Sequence, residues 1–95
     1  MSIDTVKPTQ IKLDVYILVI YYQKSHDVST TPFSSHFQAQ QTAVDYCRSR
    51  LVNRTPASPI WKLSENPDTY AQFLEEYNEM RGYSEIQIHW KVLAV

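Results

Sequence analysis

The sequence predicts a small α+β domain of order β-β-α-α-β, an antiparallel or mixed sheet with two helices on one face. Three observations carry that prediction. Apolar and polar residues alternate with period two at 11–22 and again at 85–95. Between these stretches, apolar residues recur with helical spacing at 35–53 and 66–82, each behind recognisable cap residues. Finally, Gly82 is the only glycine in 95 residues, where average usage would supply about seven. One glycine spent on a helix end leaves none for a Gly-rich phosphate loop, a dinucleotide fingerprint or a nucleophile elbow.

Each element has its own grounds. Residues 1–10 are polar, contain Pro8 and read as a flexible N-terminal arm, leaving 11–95 as the single domain. In the first strand Ile11, Leu13, Val15, Ile17, Val19 and Tyr21 point one way, and Lys12, Asp14, Tyr16, Leu18, Ile20 and Tyr22 the other. The second face begins polar and ends apolar, so the strand is expected to be central and to become buried on both sides. Lys24-Ser25-His26-Asp27 is a polar turn before a return strand at 28–33, where Pro32 removes a ladder donor and implies a sheet edge.

Ser35-His36-Phe37-Gln38 has capping-box spacing, and Phe37, Val44 and Leu51, beside Ala43 and Cys47, make one apolar stripe. Pro56 and Pro59 mark 54–65 as a connector, in which Ile60-Trp61-Lys62-Leu63 either pairs briefly as a strand or tucks Trp61 onto the core. Asn66-Pro67-Asp68 combines an N-cap, a proline at the first helical position and an acid in the first turn. Tyr70, Phe73, Leu74 and Tyr77 follow as the buried face, and Gly82 supplies the left-handed residue that ends this helix, with Tyr83 packing back on it. In the last strand Ile86, Ile88, Trp90, Val92 and Ala94 alternate with Glu85, Gln87, His89 and Lys91, which are expected on the polar face.

Composition narrows the function classes. At 43% hydrophobic and 20% charged residues the chain is too apolar for intrinsic disorder. A formal charge of −1 gives no overall field to attract nucleic acid or an anionic membrane. An aromatic strand such as Val15-Tyr16-Ile17 stacks RNA bases beside a Gly- and Lys/Arg-bearing partner strand, which is absent, so nucleic acid is not an expected partner. The longest apolar run, 15–22, falls well short of the roughly 20 residues that span a bilayer, so no membrane contact is expected. A lone Cys47 and the lack of a signal-like apolar start point to a reducing, cytoplasmic setting.

Site chemistry is sparse. His26, His36 and His89 lack metal-ligand spacing, and neither a metal nor a cofactor is expected. Cys47 lies on the apolar stripe and reads as a small buried hydrophobe, not a nucleophile. Ser25, Ser29, Ser34 and Ser35 cluster without an adjacent base. Charge is segregated: Glu65, Asp68, Glu75, Glu76 and Glu79 stand in a stretch without Lys or Arg, while Arg48, Arg50 and Arg54 outnumber Asp45 in the first helix region.

These features favour surfaces over catalysis. The expected function is a non-enzymatic interaction protein, a homodimer, that binds and inhibits another protein. Small accessory and anti-defence factors of phages and mobile elements have this style. Its partner-binding residues are Tyr16, Tyr22, Trp61, Glu75, Glu76 and Glu79. The two aromatic strands supply an uncovered sheet face, formed by Tyr16, Leu18, Ile20 and Tyr22 or by Ile86, Ile88 and Trp90. The alternative is a small-ligand or nucleotide binder with a pocket at the subunit interface, using Tyr21, Arg48 and Trp90.

Overall fold

The computed structural model describes residues 12–51 and 58–94. Three strands, β1 (Lys12–Tyr22), β2 (Asp27–Phe33) and β3 (Ile86–Ala94), form one antiparallel sheet of order β2-β1-β3. The helices are α1 (His36–Arg50), the short α2 (Pro59–Leu63) and α3 (Tyr70–Arg81), the last entered through a 3-10 turn at Pro67–Thr69. The α+β class is as the sequence predicts, with the sheet antiparallel throughout. The expected arm at 1–10 and Ile11 of the first strand lie outside the described residues, as does most of the Pro56 end of the connector.

Strand β1 is central because it pairs on both sides, Ile20 with Ser29 of β2 and with Ile86 of β3. β2 takes the edge that its Pro32 requires. The turn between them has no glycine, so His26 adopts the left-handed conformation itself (φ 59°), and its Nδ1 lies 3.0 Å from the Tyr21 hydroxyl. Histidine is among the residues that enter this region least unwillingly.

The helix ends follow local chemistry. Ser35 caps α1 by accepting the Gln38 N–H. Asn66 accepts the Asp68 N–H at 2.9 Å, and Gly82 ends α3 with φ 82°. Ile60–Leu63 is corrected from a possible strand to the helix α2: Ser58 accepts the Trp61 N–H and Pro59 stands at the first helical position. Trp61 packs half-buried against the core, the other outcome the sequence allowed.

The core lies between the helices and one face of the sheet. Leu18 and Ile86 meet Ala43, Val44, Cys47 and Leu51 from the α1 side and Tyr70, Phe73, Leu74 and Tyr77 from α3. Phe37, expected on the α1 stripe, is instead largely exposed and stacks on Tyr70 with ring centroids 6.2 Å apart. Both helices run the same way along β1. His36 at the start of α1 stacks on Tyr16, while Arg50 at its end meets Glu85 beside the end of α3.

Two expectations about the sheet are corrected. Leu18 alone in β1 is fully buried, so the strand is not enclosed on both sides. The uncovered face is also the opposite one. Tyr16, Leu18, Ile20 and Tyr22, with Ile86, Ile88 and Trp90, lie on the helix side. The open face carries Leu13, Val15, Ile17, Val19 and Tyr21. The cause is register: Leu18 and Ile20 stand opposite Ile88 and Ile86, whereas Val15, Ile17 and Val19 stand opposite Lys91, His89 and Gln87. Apolarity summed across strands, not within β1, decides which face the helices cover.

Candidate functional site

Two surfaces stand out. The first is a polar cleft where the ends of α1, α3 and β1 converge, organised by Glu85. Placed by the sequence on the polar face of the last strand, Glu85 is corrected to a buried residue just before β3, only 1% exposed, a rare state for a carboxylate unless it is paired. Its partners come from three elements. Tyr77 donates its hydroxyl at 2.7 Å, Tyr83 its hydroxyl at 2.9 Å, and Arg81 its Nε–H at 2.9 Å, while Arg50 Nε lies 3.3 Å away. Burial alone would raise the Glu85 carboxyl, but the donors from Tyr77, Tyr83 and Arg81 outweigh it and hold it below its ordinary value. The same burial, together with the bond to Glu85, pushes the Tyr77 phenol well up.

Backbone bonding fixes Glu85 in place. The Asn78 side-chain oxygen accepts the N–H groups of Glu85 and Ile86, each at 3.0 Å, and its Nδ2 donates to the Ile86 carbonyl at 2.8 Å. One side chain of α3 therefore clamps the start of β3. Outside this network the cleft opens with a volume of about 200 Å³. Its cations are Lys24, Arg50 and Arg81; its aromatic walls are Tyr21, Tyr22, Tyr46 and Tyr83. Arg50 lies 5.8 Å from the Tyr46 ring centre and Arg81 5.8 Å from that of Tyr83, so rings as well as the carboxylate orient both guanidinium groups.

The second surface is the open sheet face. Val15, Ile17, Val19 and Tyr21 are half-buried along its centre, and Leu13, Val28 and Leu93 are exposed. Beyond the helices, β1 and β3 continue as a two-stranded ribbon in which Lys12–Asp14 and Trp90–Ala94 are all exposed. Trp90 is 62% exposed and donates its ring N–H to Asp14 at 3.1 Å.

The sequence-predicted residues are dispersed. Tyr16 stacks on His36 at one end of α1, and Tyr22 lines the cleft at the other. Trp61 lies under Arg48, whose guanidinium is 4.7 Å from the ring centre. Glu75 and Glu79 are exposed on α3, and Glu76 accepts a bond from Gln72 at 2.9 Å. Of the alternative set, Tyr21 reaches the cleft, whereas Arg48 and Trp90 do not line it. Among the described residues no group of three His, Cys, Asp or Glu side chains could hold a metal, and His26 and His36 stand beside different tyrosines.

Glu85, Arg50 and Arg81 were not singled out as a unit by sequence reasoning. The available signal was an acid at the start of an apolar strand with Arg81 four positions before it. Cys47 is fully buried, and burial, with nearby Glu85 adding to it, pushes its thiol well up, which suits a packing residue and not a thiolate. No described helix is long and apolar enough to cross a membrane. No family model, curated protein or solved structure matches the chain.

Proposed function

We propose that this chain is a non-enzymatic interaction protein that works as a homodimer, binding and inhibiting a protein partner. The single observation that supports this most is the open sheet face. Leu13, Val15, Ile17, Val19 and Tyr21 run along it with Val28 and Leu93 beside them, and no described helix covers them. Strands of eleven, seven and nine residues give this face an area on the order of 400 Å², with the apolar β1 stripe along its centre, on the scale of surfaces that mark interfaces.

A second copy fits this face better than a charged partner does. The stripe carries no acid, and Lys91 is its one full charge, set at the β3 side. Two copies related by a twofold axis can therefore meet apolar centre to apolar centre. On the exposed ribbon Leu13 and Leu93, paired across the two strands, extend the contact on this face. Such pairing leaves the outer side of α3, with Glu75, Glu76 and Glu79, available to a basic partner surface.

Sedimentation equilibrium at micromolar concentration tests the dimer. A dimer that Val19→Lys converts to a folded monomer is expected, and a monomeric wild type overturns the reading. Capture of a partner by the wild type, lost on Glu75→Lys with Glu79→Lys, tests the acidic face; capture unaffected by both changes moves the partner site elsewhere.

A further inference from the structure

The cleft holds more positive charge than its structure requires. Glu85 already has two hydroxyl donors and Arg81, so one guanidinium would complete it. Arg50 approaches as a second, and Lys24 lines the same cleft without touching Glu85. Three cations against one buried carboxylate leave two positive charges. The last turns of α1 and α3 both end here, and each contributes about half a negative charge. About one positive charge remains, in a recess where a bound ion is partly shielded from water.

The donors are also set in advance. Glu85 accepts from Nε of Arg81 and holds Arg50 as an ion pair with Nε at 3.3 Å, Arg50 also bonds Tyr77, and Tyr83 takes one Nη2 of Arg81 at 3.4 Å. Each guanidinium has five N–H groups in a fixed fork, so most of the remaining donors are left to whatever enters the cleft. Arginine forks match the oxygens of a phosphate group, and holding them in place beforehand lowers the entropy lost on binding. The walls then ask for a flat apolar body beside the anion, because Tyr22 and Tyr46 line the cleft with Arg50 against the Tyr46 ring. At about 200 Å³ the space is below that of most drug-sized sites, enough for one charged head and a ring system but not for a dinucleotide.

We propose that this cleft binds a nucleoside monophosphate, a small phosphate monoester whose sugar also carries a planar base. Arg50, Arg81 and Lys24 take the phosphate, Tyr22 and Tyr46 flank the ring, and Glu85 acts as the positioning residue for both arginines. The site is complete within one copy of the chain and does not rest on self-association.

Backbone amide NMR with adenosine monophosphate, adenosine, inorganic phosphate and phenyl phosphate tests it. Adenosine monophosphate is expected to shift the amides of Gln23, Lys24, Arg50 and Tyr83. It is also expected to bind at least ten-fold more tightly than adenosine or inorganic phosphate. Lys24→Gln, in an exposed turn and outside the Glu85 network, should weaken binding several-fold, as should Arg50→Gln and added salt. Lys91→Gln on the open sheet face should leave it unchanged. The absence of shifts at millimolar nucleotide overturns the proposal. So does equal binding of adenosine and the monophosphate, tighter binding of phenyl phosphate than of the nucleotide, or equal affinity in Lys24→Gln and the wild type.

Discussion

Glu85 shows how one residue can be both a cost and a fastener. Burying a carboxylate is unfavourable, yet charge-assisted bonds from Tyr77, Tyr83 and Arg81 more than offset that here. Tyr77→Phe keeps the ring in the core and removes one donor, so urea denaturation should show a loss of about 1.5–3 kcal/mol. The pH dependence has a defined sign. Because the folded carboxyl lies below its unfolded value of about 4.3, its stabilisation is complete above that pH and fades as the pH falls through the folded value. Glu85→Gln should therefore flatten the fall in stability below about pH 4, measured as urea midpoints across the acid range. Cys47, buried with its thiol pushed up, should react with a thiol reagent only as fast as the core opens, so its labelling rate reports unfolding.

At the level of elements, local chemistry was legible and facing was not. Ser35, Asn66 and Gly82 announce their helix ends because a cap is chosen by the few residues around it. Gly82→Ala should cost roughly 1 kcal/mol in thermal or urea unfolding: a Cβ would meet nothing within 4 Å, so the strain is in the positive φ alone. Asn78→Ala should cost about 1–3 kcal/mol, because the Ile86 N–H loses its Asn78 acceptor, the Glu85 N–H keeps only the Tyr83 carbonyl at 2.9 Å, and β3 loosens from α3. Hydrogen exchange at the β3 amides should rise with it. By contrast, β1 alternates two apolar sets, and only the register against β3 says which set meets the helices. That register joins residues far apart in sequence, and no local pattern encodes it. Glu85 was half hidden: Tyr77, Arg81 and Tyr83 stand within eight residues of it, but Arg50 reaches it from α1, and no local pattern encodes that contact.

For the whole molecule, the described residues form two layers and none of them covers the second side of the sheet, a layer that self-association would supply. Folding and pairing are then linked, so the melting temperature should rise with protein concentration between about 1 and 100 μM, and Val19→Lys should abolish that dependence. The central position of β1 has a further consequence, for the order in which the molecule forms. Its pairing with β2 crosses only a short turn, so the hairpin closes early. Its other flank waits for Ile86 and the residues after it, with both helices made in between. At roughly 5–20 residues per second of synthesis, that edge stays unpaired for several seconds on the ribosome. During this interval Val15, Ile17 and Val19 are exposed together with a free row of backbone donors and acceptors, the combination that recruits stray strands. A nascent chain halted before Ile86 should therefore bind chaperone or aggregate, whereas one carrying β3 beyond the exit tunnel should not.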